Sequence, residues 1–412
     1  MKRIYFDNAA TTQVDRRVFS AMKPYFCDIY GNASSLHSFG LASKKALEDA
    51  REKVATKIGA KHNEIIFTSG ATEADNLVLR GVVYKNAGTG NHIVTTEIEH
   101  PAILETCRFL ETQGTRVTYL GVDKNGLISL DELEKSLGPK TLLVSIIFAN
   151  NETGVIQPIK GIGRIIKKYN KKNSTKIYFH TDAVQAFTKI DIDVEKMNID
   201  LMSLSAHKVY GPKGIGALYV KNGTQIEKIT HGGHHEYNFR PGTENTASAV
   251  GFGKTSELFE PASYKKLENI RKYLIKKLKK DISDCYINGP STSSGQAPST
   301  SSGQAPSTSL RTSPETGNVL NSIVNVTIKG AEGESMMLLL DKEGISVSTG
   351  SACASSSLEP SYVLQAMGVP KEEAHGSLRI SMGKDSKKDE IDYFIYHLKI
   401  IVAKLRKLNP LI

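Results

Sequence analysis

The sequence predicts an α/β fold: a mostly parallel sheet covered by helices on both faces, followed by a smaller α+β domain. Three observations lead there. Short apolar segments alternate with amphipathic helical segments as far as about residue 260, and such crossovers lay strands parallel. At 412 residues the chain is long for one core. Beyond residue 260 the pattern gives way to a Lys-rich helix over residues 263–282, with Leu267, Ile270, Leu274 and Leu278 on one face.

Residues 1–14 read as an extended lead-in that ends in Asn8-Ala9-Ala10-Thr11-Thr12. Asp15 is an N-cap candidate for a helix over residues 15–26, and a charged amphipathic helix over 41–58 is stopped by Gly59. Strands are expected at 64–68, 92–96, 116–120, 142–147 and 177–179, with helices after Ala71 and over 101–111 and 161–169. The second domain is expected to hold a strand at 324–328 and helices near 334–341 and 387–408. The expected division is residues 15–260 as the large domain, with 1–14 and 261–412 forming the small one. One segment fits neither. Ser291-Thr292-Ser293-Ser294-Gly295-Gln296-Ala297-Pro298 recurs unchanged at 299–306, so residues 291–316 are expected to be a disordered insert without a catalytic role.

With 39% hydrophobic and 23% charged residues, the composition is that of a globular protein. No apolar run approaches the roughly 18 residues of a membrane span, and residues 1–7 contain no signal-peptide core, so a cytoplasmic protein is expected. Cys27, Cys107, Cys285 and Cys353 lack CxxC spacing, which argues against a disulfide framework or a metal site. The net charge of +10 is compatible with an acidic protein partner or with tRNA, but solvated Lys-rich helices explain it equally well, and no nucleic-acid motif accompanies it.

Chemistry concentrates in a few stretches. Ile177-Tyr178-Phe179-His180-Thr181-Asp182 delivers an aspartate at a strand end, and Ser205-Ala206-His207-Lys208 places a lysine between hydroxyl and imidazole groups. A lysine that forms a Schiff base and a carboxylate that pairs with a ring nitrogen are what a pyridoxal phosphate site needs, although Lys208 alone could be a surface lysine. Ser69-Gly70-Ala71-Thr72 at a strand-to-helix turn could cradle a phosphate on backbone N–H groups, or hold an ordinary cap by Ser69 or Thr72. His100 and Asn151 also follow strands, where α/β sheets bind ligands; His100 could stack on a cofactor ring and shuttle protons as a catalytic residue, or simply cap a helix. Cys353, in a loop of small polar residues from 348 to 357, is placed to react rather than to pack.

Taken in order, Tyr5-Phe6-Asp7-Asn8-Ala9-Ala10-Thr11-Thr12, Ser69-Gly70-Ala71-Thr72-Glu73, Ala149-Asn150-Asn151-Glu152, His180-Thr181-Asp182-Ala183-Val184-Gln185, Ser205-Ala206-His207-Lys208 and Ser351-Ala352-Cys353 resemble the motifs of the NifS/IscS cysteine desulfurases. These are class V aminotransferase-family enzymes of pyridoxal phosphate fold type I. The resemblance implies a seven-stranded sheet and the following roles. Lys208 would hold the cofactor and then abstract the substrate Cα proton, which requires a neutral amine favoured by a nearby cation and partial desolvation. Asp182 would pair with the ring nitrogen, Gln185 would bond the ring hydroxyl oxygen and His100 would stack on the ring. Ala71, Thr72, Ser205 and His207 would bind the phosphate, with Thr243 arriving from a second subunit of a homodimer. Asn151 and Arg379 would hold the carboxylate of L-cysteine. Cys353 would take the sulfur as a persulfide for an iron–sulfur scaffold protein, a tRNA-thiolation acceptor or both. No metal, membrane or direct nucleic-acid contact is implied. Selenocysteine lyase and a non-catalytic sulfur-carrier or scaffold protein are the competing readings.

Overall fold

The computed structural model describes residues 3–290, 319–349 and 359–408. The expected insert at 291–316 falls wholly outside them, as does Cys353. Twelve strands are described: β1 Ile4–Tyr5, β2 Ile65–Thr68, β3 His92–Thr96, β4 Arg116–Leu120, β5 Thr141–Ser145, β6 Tyr178–Asp182, β7 Leu201–Ser205, β8 Gly216–Val220, β9 Cys285–Asn288, β10 Ile323–Ile328, β11 Ile345–Ser346 and β12 Ser377–Ser381.

The large sheet has seven strands in the order β2-β8-β7-β6-β5-β3-β4. It is parallel except for β8, which runs antiparallel to both β2 and β7. Period-two alternation sends successive side chains to opposite faces. Ile65, Phe67 and Val144 join one buried apolar cluster, whereas Ile66 and Leu143 join another on the opposite side. With helices over both faces, every residue of β3, β5, β6 and β7 is buried.

A separate apolar cluster lies around the antiparallel sheet β12-β10-β9 and the helices Leu267–Asp281, Gly333–Lys342 and Lys388–Leu408. The lead-in packs there first: β1 pairs with β11, and the Phe6 ring meets Phe394 edge-on at 5.9 Å. It then bridges to Ser381 at Asp7 and continues toward the large sheet.

Several boundaries depart from expectation for local reasons. The helix expected over 15–26 is broken into Arg16–Met22 and Pro24–Cys27, because Pro24 lacks an N–H and opens a new helical turn. Asp15 caps the first of these, accepting from the Arg17 N–H. The second helix begins earlier, at Ser38, and ends as expected at Gly59, which takes the left-handed conformation with φ 70°. Strands β7, β8, β9, β11 and β12 and the helices Leu130–Ser136 and Thr246–Leu258 were not foreseen. No helix among the described residues is long and apolar enough to cross a membrane.

Candidate active site

Because β2 and β7 flank the antiparallel β8, both run in the direction of β3, β5 and β6, and all five end at one sheet edge. Strand order reverses between β3 and β5, which is where α/β sheets open a ligand crevice. A cavity of about 550 Å³ lies at this edge. Around it the fold gathers Ala71, Thr72, His100, Asn151, Asp182, Gln185, Ser205, His207, Lys208 and Arg379, all named from sequence.

Lys208 stands in a 3-10 turn, Ala206–Lys208, directly after β7. Its Nζ donates to two backbone carbonyls of the lead-in, Ala9 at 2.8 Å and Ala10 at 2.6 Å. Three further contacts clamp the lead-in. Thr12 Oγ1 donates to the His207 carbonyl and accepts from the Tyr210 N–H, and His207 Nδ1 lies 3.1 Å from Thr11 Oγ1. Tyr210 is held at φ +64°, an uncommon conformation for a non-glycine residue. Burial and the two neighbouring lysines, Lys208 and Lys213, pull the His207 imidazole down to about 4, so it stands neutral.

Asp182 closes β6, nearly inaccessible, with Oδ1 accepting from the Val184 N–H. Burial raises its carboxyl; His100, the Val184 N–H and Lys208 oppose that rise. A cationic ring nitrogen would complete the compensation. His100 caps the helix Pro101–Thr112, with Nδ1 accepting from the Ala102 N–H at 3.1 Å. Capping and cavity lining therefore coexist in one residue. Burial lowers its pKa, and the cap contact places the neutral ring's proton on Nε2.

The helix Ala71–Lys85 begins at Gly70 without any side-chain cap, so neither Ser69 nor Thr72 performs the ordinary capping role. A Cβ at Gly70 would meet nothing within 4 Å. Open amides at a helix N-terminus, beside Ser205 and His207, suit a phosphate. Together with the Lys208 amine and the Asp182 carboxyl, this donor set fits pyridoxal phosphate.

Across the cavity, Asn150 Oδ1 accepts from the Glu152 and Thr153 N–H groups, a turn that presents Asn151 to the cavity. Asn151 Oδ1 is buried without a partner, and so is Nε of Arg379. Arg379 sits on β12 with Nη1 on the Asn151 carbonyl at 3.2 Å and Nη2 on Asp7 Oδ1 at 2.9 Å. Backbone hydrogen bonds tie Ser348 to Arg379, and the Tyr362 hydroxyl donates to the Glu99 carbonyl at 2.6 Å. The chain on either side of residues 350–358 is thus fastened beside the cavity.

Thr243 is not in this cavity. It lines a neighbouring one with Arg240, sharing Ser69 and Gly214 with the main site. Sequence reasoning gave no role to the Ala9 and Ala10 carbonyls, to Thr11 or to Lys213, all of which line the main cavity. Their signal lay in the lead-in motif and in the Lys208-to-Gly214 stretch, but their partners are nearly two hundred residues apart. Of the cysteines described, Cys27 is exposed, Cys285 is partly buried and Cys107 is buried, its thiol pushed up to about 12.

The family model Aminotransferase class-V matches residues 4–302 and 303–394. A cysteine desulfurase IscS of Dictyoglomus turgidum is 45% identical over 414 residues, covering 100% of this chain and 97% of that protein. One from Methanosarcina thermophila is 47% identical over 413 residues, covering 100% of this chain and 94% of its own. Among solved structures, a NifS-like protein superposes with TM-score 0.85 at 36% identity, covering 98% of this chain and 100% of the other. A structure described as SspA in complex with cysteine has TM-score 0.77 and 37% identity, over 92% of this chain and 99% of that one. With the family model spanning nearly the whole chain and such relatives matching end to end, this chain belongs to the class V aminotransferase family, among its NifS/IscS-type cysteine desulfurases.

Proposed function

We propose that this chain is a pyridoxal phosphate-dependent desulfurase that converts L-cysteine to L-alanine and carries the released sulfur as a persulfide on Cys353. The observation that carries this reading is the convergence of Lys208, Asp182, His100 and the uncapped helix at Gly70 on one cavity that Arg379 also faces. Bound there, pyridoxal phosphate supplies an electron sink for the substrate's Cα. Lys208 would hold it, Asp182 would pair with its ring nitrogen, and His100 and Gln185 would orient the ring. Ala71, Thr72, Ser205 and His207 take the phosphate.

Substrate handling falls to groups of opposite character. Arg379 and Asn151, whose buried Nε and Oδ1 lack partners, face the amino acid, with Arg379 taking its carboxylate. Lys208, in its neutral form, removes the Cα proton and returns protons as alanine forms. The Cys353 thiolate attacks the substrate sulfur. An S–S bond forms, the substrate C–S bond breaks, and its electron pair stays with the carbon skeleton that leaves as alanine.

Residues 15–260 act as the cofactor-binding domain, and 1–14 with 261–412 as the domain carrying the cysteine; one apolar cluster draws mostly on the first and another mostly on the second, with Tyr210 and Phe259 reaching into the latter and Ala9, Leu320 and Ile323 into the former. A homodimer completes the site through Thr243. Phe26, Tyr30, Leu36, Phe39 and Leu41 present the exposed apolar surface that a second copy would cover. The persulfide would pass to an iron–sulfur scaffold protein, a tRNA-thiolation acceptor or both.

The test is an absorption spectrum of the purified protein before and after L-cysteine, with alanine and sulfide assayed together. A visible band that shifts with cysteine while alanine forms is expected. A protein that stays colourless and silent after pyridoxal phosphate is added overturns the reading. Cys353→Ala is expected to abolish desulfuration of cysteine while sparing cleavage of selenocysteine, and full desulfuration by that variant would remove Cys353 from the mechanism.

A further inference from the structure

A second lysine lies behind the first. Lys189 sits in the turn that follows β6, and its Nζ donates to Gln185 Oε1 at 3.1 Å. Gln185 Nε2 in turn donates to the Ala9 carbonyl at 3.0 Å, the same oxygen that accepts from Lys208 Nζ. The two amines therefore end on one short hydrogen-bonded chain. A void of about 10 Å³ is walled by Gln185, Lys189, Lys208 and Tyr210, a size on the order of a single water. On the far side of Lys189 an open cavity of about 310 Å³ leads to the surface.

The groups facing Lys189 define its electrostatics. From the turn after β7 come Lys208 and Tyr210. The segment following Pro261 contributes Tyr264, Lys265 and Glu268, while Asn321 and Ser322 on the remaining wall are neutral. Glu268 also pairs with Lys272 at 2.6 Å. Lys189 as a residue keeps some solvent contact through the outer cavity, yet its amine lies deep, and burial with the nearby Lys208 charge pulls it down to about 7.

We propose that Lys189 is a positioning residue whose proton opposes a proton on Lys208, keeping the Lys208 amine neutral for proton removal and exchanging that proton with solvent through the outer cavity. Only N–H bonds change: a proton lost from one amine passes to the other or to solvent. The inference rests on the reading of Lys208 as the base. Like charges in one enclosed site titrate as a coupled pair, so wherever Lys189 holds its proton, below about pH 7, it acts as the nearby cation that opposes a proton on Lys208.

The test compares wild type with Lys189→Met and Lys189→Arg. Lysine side-chain NMR titration of the cofactor-stripped full chain is one readout, with Lys208 assigned through Lys208→Ala; the pH profile of kcat/KM on L-cysteine is the other. Removing the charge is expected to raise the Lys208 midpoint by about one unit and to move the acidic limb of the profile the same way. Arginine, which cannot discharge, is expected to leave the midpoint at or below that of wild type. A Lys208 midpoint identical in all three proteins overturns the proposal. Should Lys189→Met fail to fold, the Lys189 midpoint in Lys208→Ala decides: a rise supports the coupling and no change overturns it. Wild type inactive on L-cysteine would overturn the desulfurase reading, with the NMR titration still deciding the coupling.

Discussion

Glu99, the residue before His100, is fully buried, with Oε1 accepting from the Thr96 hydroxyl at 2.7 Å and the Ile147 N–H at 2.8 Å. Its other oxygen has no partner, and burial pushes the carboxyl up to about 8. For an acid raised on folding, the folded state holds its proton while the unfolded chain ionises near 4.5, so stability is lost as pH rises toward 8. Glu99→Gln keeps both acceptor contacts and cannot ionise. Thermal melts of cofactor-saturated protein are expected to show the variant gaining on wild type between pH 5 and 8 and levelling above that. Parallel melting curves across this range would contradict the burial argument. Nothing in the sequence marks Glu99 as more than a loop carboxylate. Lys189 was equally invisible, since only the fold closes a cavity over it.

At the scale of elements, Gly216 shows how the antiparallel strand shapes the site. It pairs with Thr68 on β2 and with Ser205 on β7, setting the phosphate-cradle turn and the lysine turn side by side. A Cβ there would approach the Leu204 carbonyl at 2.6 Å and the Gly70 Cα at 2.7 Å, both backbone atoms that cannot swing away. Gly216→Ala is expected to push the Gly70 turn outward and weaken pyridoxal phosphate binding about tenfold, or ~1.4 kcal/mol. Equilibrium dialysis against the cofactor measures this, and unchanged affinity would show that the cradle does not depend on that spacing. Strands β3 and β4 were readable in place because their apolar runs are bounded by polar loops. Strand β8 was not, for Gly216-Ala217-Leu218-Tyr219-Val220 lies downstream of a Gly/Pro-rich turn that masks its start.

For the whole molecule, the repeat at 291–306 is chemically unlike either half of the chain. Its removal is expected to leave turnover of L-cysteine within about twofold of wild type, because Ser/Thr/Gly/Pro tracts bury no core. A large loss in the deletion protein would assign the repeat a role in the site. The α/β class, the alternation of elements and about half of the residues lining the cavity were legible from sequence alone. Periodicity is a local property, and motifs at strand ends fall on one edge wherever the strands lie parallel. Left to the tertiary structure were the contacts between segments far apart in the chain. Among these are the Ala9 and Ala10 carbonyls on Lys208, Asp7 on Arg379, Gln185 between the two amines and the insertion of β8 into the sheet. Each joins partners whose proximity exists only once both cores have formed, and no spacing along the chain encodes it.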